Sequence, residues 1–80
     1  MKTATAMNRS SIHFQEIEQW FQGVQPPYRL KDILAFNEIY RRIYSHLTTE
    51  EKCRVEEEIV DALINDVEDP KLKAKIFGVV

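Results

Sequence analysis

The side chains of this chain that could do chemistry are few: His13, His46, Cys53 and the glutamates Glu50, Glu51, Glu56, Glu57 and Glu58. A metal centre needs three or four ligands at workable spacing. His46 and Cys53 have no C-x-x-C or H-x-x-x-H partner, so neither a metal nor another cofactor is expected. As a nucleophile, Cys53 would need a base beside it. A helix start would make its thiol more acidic, but the surrounding glutamates act the other way, and a structural cysteine is the simpler reading. The glutamates share one helical segment, where a charge run is ordinarily a solvated face. With two glycines in the chain, no glycine-rich phosphate loop of the usual forms is possible. No catalytic residue is assigned, and the chain reads as a non-enzyme.

The alternative to catalysis is recognition, and nucleic acid is the first candidate to test. Short helices joined by a tight turn can form a helix-turn-helix, whose recognition helix presents Arg, Lys, Asn or Gln to the groove. The segment that would fill this role presents carboxylates instead. The cations lie elsewhere, at Arg29, Lys31, Arg41, Arg42, Lys71, Lys73 and Lys75, and nothing in the spacing brings them together. A net charge of -2 also argues against a generic nucleic-acid binder.

These residues must be positioned by helices. Eighty residues with two glycines and three prolines make one small domain, short of the core that larger chains build, for which oligomerisation is a common source of stability. A single cysteine excludes an internal disulfide, which fits a reducing compartment or an indifferent one. No apolar run approaches the ~18 residues of a membrane span, and the start of the chain has no apolar core of a secretory signal. A cytoplasmic location is expected. Residues 1–10 are polar and read as a disordered tail, followed by one helical domain over 11–80.

The first helix is expected from about Ile12 to Gln22, capped by Ser10 or Ser11 and ended by Gly23 in a left-handed conformation. Phe14, Ile17, Phe21 and Val24 share one side of it, with Trp20 at the edge. Pro26-Pro27 makes a stiff connector, after which Tyr28 and Leu30 are placed to pack back on the core. The second helix, about Leu30 to His46, is the most apolar. At ~100° per residue, Ile33, Leu34, Phe36, Ile39, Tyr40, Ile43, Tyr44 and Leu47 cover roughly 220° of its wheel. So wide an arc places this helix between others, with Asn37 bonded to a neighbouring helix or to a partner. Thr48 and Glu51 form a capping box, so a third helix runs from about Thr49 to Asn65. It forms an antiparallel hairpin with the second. Asp69-Pro70 opens a short last helix in which Leu72, Ile76 and Phe77 pack.

The resulting expectation is an all-α fold, a small bundle of three main antiparallel helices plus a short C-terminal one. The expected function is a non-enzymatic interaction module, a regulator or adaptor that binds another protein through an aromatic face of the first two helices and associates with itself as a homodimer. Trp20, Tyr40, Tyr44 and Arg41 are the candidate contact residues, because Trp, Tyr and Arg are enriched at hot spots. The acidic face of the third helix, with Glu57, Glu58 and Asp61, would steer the approach of a basic surface. The alternative is a small nucleic-acid-associated or transcription-regulating protein using Arg41, Arg42 and the C-terminal lysines.

Overall fold

The computed structural model describes residues 11–76; the expected tail over 1–10 and the packing assigned to Phe77 lie outside the described residues. The fold is all-α. Helix α1 spans Ile12–Gln22 and α2 spans Leu30–Ile43, which tightens into a 3-10 turn at Tyr44–His46. Helix α3 is continuous through α-helical Thr49–Arg54, π-helical Val55–Val60 and α-helical Asp61–Asp66. A 3-10 turn at Pro70–Lys75 closes the described chain. Among the described residues there is no strand; one isolated parallel bridge joins Tyr28 to Val67.

Local signals account for the helix boundaries. Ser11 Oγ accepts from the Phe14 amide at 3.1 Å, which satisfies one orphan donor of the first turn. Thr48 Oγ1 accepts from the Glu51 amide at 3.1 Å, while Glu51 Oε1 accepts from the Thr48 amide at 2.9 Å. Asp69 Oδ1 accepts from the Lys71 amide at 3.0 Å, with Pro70 filling the position that loses no bond.

Three expectations need correction. Gly23 is not left-handed: at φ -90 and ψ 0 its N–H returns to Trp20 O at 3.1 Å, so the helix ends in a tighter turn that any residue could adopt. A Cβ there would lie 3.6 Å from Trp20 O, an ordinary contact. Leu30 does not pack back; it is 42% exposed, whereas Tyr28 is buried, its amide bonded to Asp66 O and its carbonyl to the Glu68 amide. The third change is the π segment. It carries Val55, Ile59 and Val60 inward together. Apolar periodicity marks the buried positions but does not distinguish i→i+4 from i→i+5 bonding.

The helices run up, down and up. Near one end, His13 of α1 stacks on His46 with ring centroids 4.3 Å apart, and near the other Trp20 meets Phe36 at 6.2 Å; α1 and α2 are therefore antiparallel. Lys52 Nζ lies 4.1 Å from the Tyr44 ring centroid, and Cys53 and Glu56 stand further along beside Tyr40, so α3 runs back along α2. The core is built from Phe14 and Ile17 of α1, from Ile33, Phe36, Tyr40 and Ile43 of α2, and from Val55, Ile59, Val60 and Leu63 of α3, with Tyr28, Leu47 and Ile76 closing it.

Glu51 does more than cap its own helix. Its Oε2 accepts from the Ser11 amide at 3.0 Å, so one carboxylate joins the first turns of α1 and α3. Burial raises its pKa, but the Ser11 and Thr48 hydrogen bonds together outweigh that and hold it below the ordinary 4.5. A carboxylate with a depressed folded pKa stabilises the fold above its unfolded value, and that stability is lost as pH falls through the folded one. Glu51→Gln is therefore expected to cost about 1 kcal/mol near neutral pH. Urea titrations of both proteins should converge as pH drops below about 4.5. A constant gap down to about pH 3 would show that the carboxylate charge is not what the two amides select.

Candidate interaction surface

The wide apolar arc of α2 divides in two. Ile33, Phe36, Tyr40 and Ile43 are covered and Ile39 is half-buried, which satisfies the expectation that this helix lies between others. The rest of the arc is not covered: Leu34 is 53% exposed and Tyr44 39%, and Leu30, one turn before Leu34, joins them. On a ~100° wheel Leu30, Leu34, Asn37, Arg41 and Tyr44 fall within roughly 80°, a single ridge.

The residues named from sequence scatter relative to this ridge. Tyr40 lies in the core at 1% exposure, its ring 5.3 Å from both Phe36 and Tyr44. Burial, with Glu56, Tyr44 and Cys53 adding to it, pushes the phenol up to about 12. It holds the fold and presents no side chain to a partner. Trp20 is half-buried against the core on the α1 side, between Phe21 and Phe36. An aromatic face shared by α1 and α2 thus exists, but it is mostly internal. Arg41 and Tyr44 are exposed on the ridge.

Glu57, Glu58 and Asp61 are exposed on α3. Two of the three have partners on their own helix. Glu58 Oε2 lies 3.5 Å from Arg54 Nε, and Arg54 also reaches Glu18 of α1 at 4.0 Å. Asp61 Oδ2 accepts from Asn65 at 3.2 Å.

The other cations divide the same way. Arg42 pairs with Glu16 across α1 and α2, which holds the Glu16 carboxyl below its ordinary range and raises the Arg42 guanidinium. Arg29 pairs with Glu68 at 3.2 Å. Arg41, by contrast, has no ion pair among the described residues, and neither do Lys31, Lys71, Lys73 and Lys75.

Sequence reasoning missed how the last turn reaches the ridge. Asn37 Nδ2 donates to the Lys75 carbonyl at 2.6 Å. This meets the expectation that Asn37 bonds a neighbouring element, and it sets the lysine-bearing turn one helical turn from Arg41. The polar Asn37 within an apolar stretch was the available signal; its partner was not, since carbonyls are on every residue. The His13–His46 stack had no sequence signal, because the two positions meet only once α1 and α2 are antiparallel.

A concavity of about 350 Å³ lies at the start of α2, bordered by Val24, Gln25, the cis Pro26-Pro27 pair, Arg29, Lys31 and Asp32. Arg29 and Asp32 are already occupied there: Asp32 Oδ2 accepts from the Arg29 amide at 2.9 Å, and the Arg29 side chain binds Glu68. Among the described residues no three His, Cys, Asp or Glu side chains are grouped to hold a metal, and no helix is long and apolar enough to cross a membrane. Compared with known proteins, the chain matches no family model, no curated protein and no solved structure.

Proposed function

We propose that this chain is a non-catalytic protein-interaction module, a regulator or adaptor, whose docking face is the outer ridge of α2. The observation that carries the reading is the exposure of Leu34 at 53% beside Leu30 and Tyr44, on a helix whose remaining apolar positions are buried or half-buried. Core residues have no reason to sit there, and the neighbouring Arg41 is left without an ion pair among the described residues. A second copy of the chain is one occupant this ridge could take, which is how the homodimer expectation enters the proposal.

A second reading has one observation in its favour. The Asn37–Lys75 bond brings the backbone of the lysine-bearing turn to α2 one helical turn from Arg41, an approach that nucleic-acid binding by Arg41 and the C-terminal lysines would need. Arg42, committed to Glu16, weakens it. The two readings separate on the apolar residue. Leu34→Asp should leave the circular dichroism and melting curve within about 0.5 kcal/mol of wild type, since the site is on the surface. It should abolish retention of the protein's partner in affinity capture with purified wild type and variant. Nucleic-acid binding would instead survive Leu34→Asp and fall steeply with salt. Retention of the same partner by the variant would sink the ridge as the docking face.

A further inference from the structure

We infer that the α2 ridge takes one amphipathic helix with acidic flanks, its apolar side chains against Leu30 and Leu34 and its carboxylates against Arg41, Lys73 and Lys75. This rests on the interaction reading above and specifies the partner for it. The argument is charge complementarity sorted by position. The chain is net negative, yet the described cations at the ridge and last turn carry no ion pair, while Arg29, Arg42 and Arg54 are each held by a glutamate of another element or of the next turn. The cations without an ion pair among the described residues lie at α2, at the turn that Asn37 holds against it, and at Lys52 of α3, whose ammonium lies over the Tyr44 ring of the ridge. Glu38 forms an ion pair with none of them.

The shape points the same way. Leu30 and Leu34 are one turn apart, and Leu30 to Tyr44 spans about 21 Å along the axis, the length of roughly four turns of a partner helix. Helix-in-groove partners present apolar residues at that spacing, flanked by charge. The ridge residues of a second copy, Leu30, Leu34, Asn37, Arg41 and Tyr44, include no carboxylate to meet Arg41 and the lysines, which disfavours it. Phosphates would meet the cations but leave the two leucines uncovered, which disfavours nucleic acid.

The test uses the full chain and a labelled helical peptide of about sixteen residues with leucines at i and i+4, glutamates flanking them and alanines elsewhere, read by fluorescence anisotropy. Wild type is expected to bind it and to lose affinity with added salt. Leu34→Asp should weaken binding by about tenfold or more. Arg41→Glu should weaken it several-fold and flatten the salt dependence. Both variants should keep the wild-type melting curve. A peptide with lysines in place of the glutamates should not bind.

Absence of binding by wild type, or equal binding of the lysine peptide, overturns the proposed partner. If light scattering then finds a dimer that Leu34→Asp dissolves, the occupant is a second copy, and the interaction reading stands without this inference. If wild type instead binds duplex or single-stranded nucleic acid, and Leu34→Asp leaves that affinity unchanged, both the inference and the interaction reading fall.

Discussion

Tyr40→Ala is expected to destabilise the protein by about 3–5 kcal/mol, the cost of deleting a large buried aromatic side chain. The ring is 1% exposed and packs between Phe36 and Tyr44 at 5.3 Å from each, so its removal leaves a cavity that two neighbours on the same helix cannot close by rotation alone. An 80-residue domain has a stability of roughly 4–12 kcal/mol at ordinary values per residue, so this loss approaches the whole. Tyr44→Ala should behave differently. Its ring is 39% exposed, and what it loses is an edge contact with Tyr40 and the Lys52 ammonium over its face, together about 1 kcal/mol. Urea unfolding of the two single variants, followed by circular dichroism, separates them. Equal costs would mean that the division of the α2 arc into covered and uncovered parts is wrong.

That division was beyond the sequence for a physical reason. The helix wheel ranks positions by angle, and it placed Tyr40 and Tyr44 only about 40° apart in one apolar arc. Which of them is covered depends on where α1 and α3 lie around α2, and that depends on long-range packing. The same limit applies to Trp20: its aromatic character gave it equal claim to core and interface, and only its place between Phe21 and Phe36 decides.

Signals that act within one turn were legible. Ser11, the Thr48–Glu51 box and Asp69-Pro70 each satisfy backbone donors three residues away or nearer, so sequence neighbours suffice to read them. The bonds that tie elements together join positions about forty residues apart, and their partners carried no local trace: Glu51 to Ser11 and Asn37 to Lys75. The candidate surface follows the same rule. Arg41 and Tyr44 were visible as hot-spot residue types, but the exposure of Tyr44 and the part played by Leu30, Leu34 and the last turn depend on what fails to cover them.

The second large effect concerns α1, the helix with the fewest anchors. Phe14→Ala is expected to cost about 3–5 kcal/mol and to loosen α1 more than the rest of the fold. Two of its side chains, Phe14 and Ile17, are fully buried, against four on α2 and four on α3. Its ion pairs, Glu16 to Arg42 and Glu18 to Arg54, are exposed and of the kind worth about 0–1 kcal/mol, which leaves the Ser11–Glu51 bond as its more shielded polar tie. Phe14 also supports the Arg54 guanidinium, which lies 4.7 Å from its ring centroid, so the substitution weakens the α1–α3 seam from both sides. An eleven-residue helix is marginal by itself in water. Amide exchange in Phe14→Ala should therefore be fastest in Ile12–Gln22, with slower exchange kept in α2 and α3. Phe14→Leu, which keeps most of the apolar volume, should recover much of the loss. Uniform acceleration across all three helices would show instead that α1 opens only when the whole core does, and that its two buried side chains are coupled to the hairpin more tightly than their number suggests.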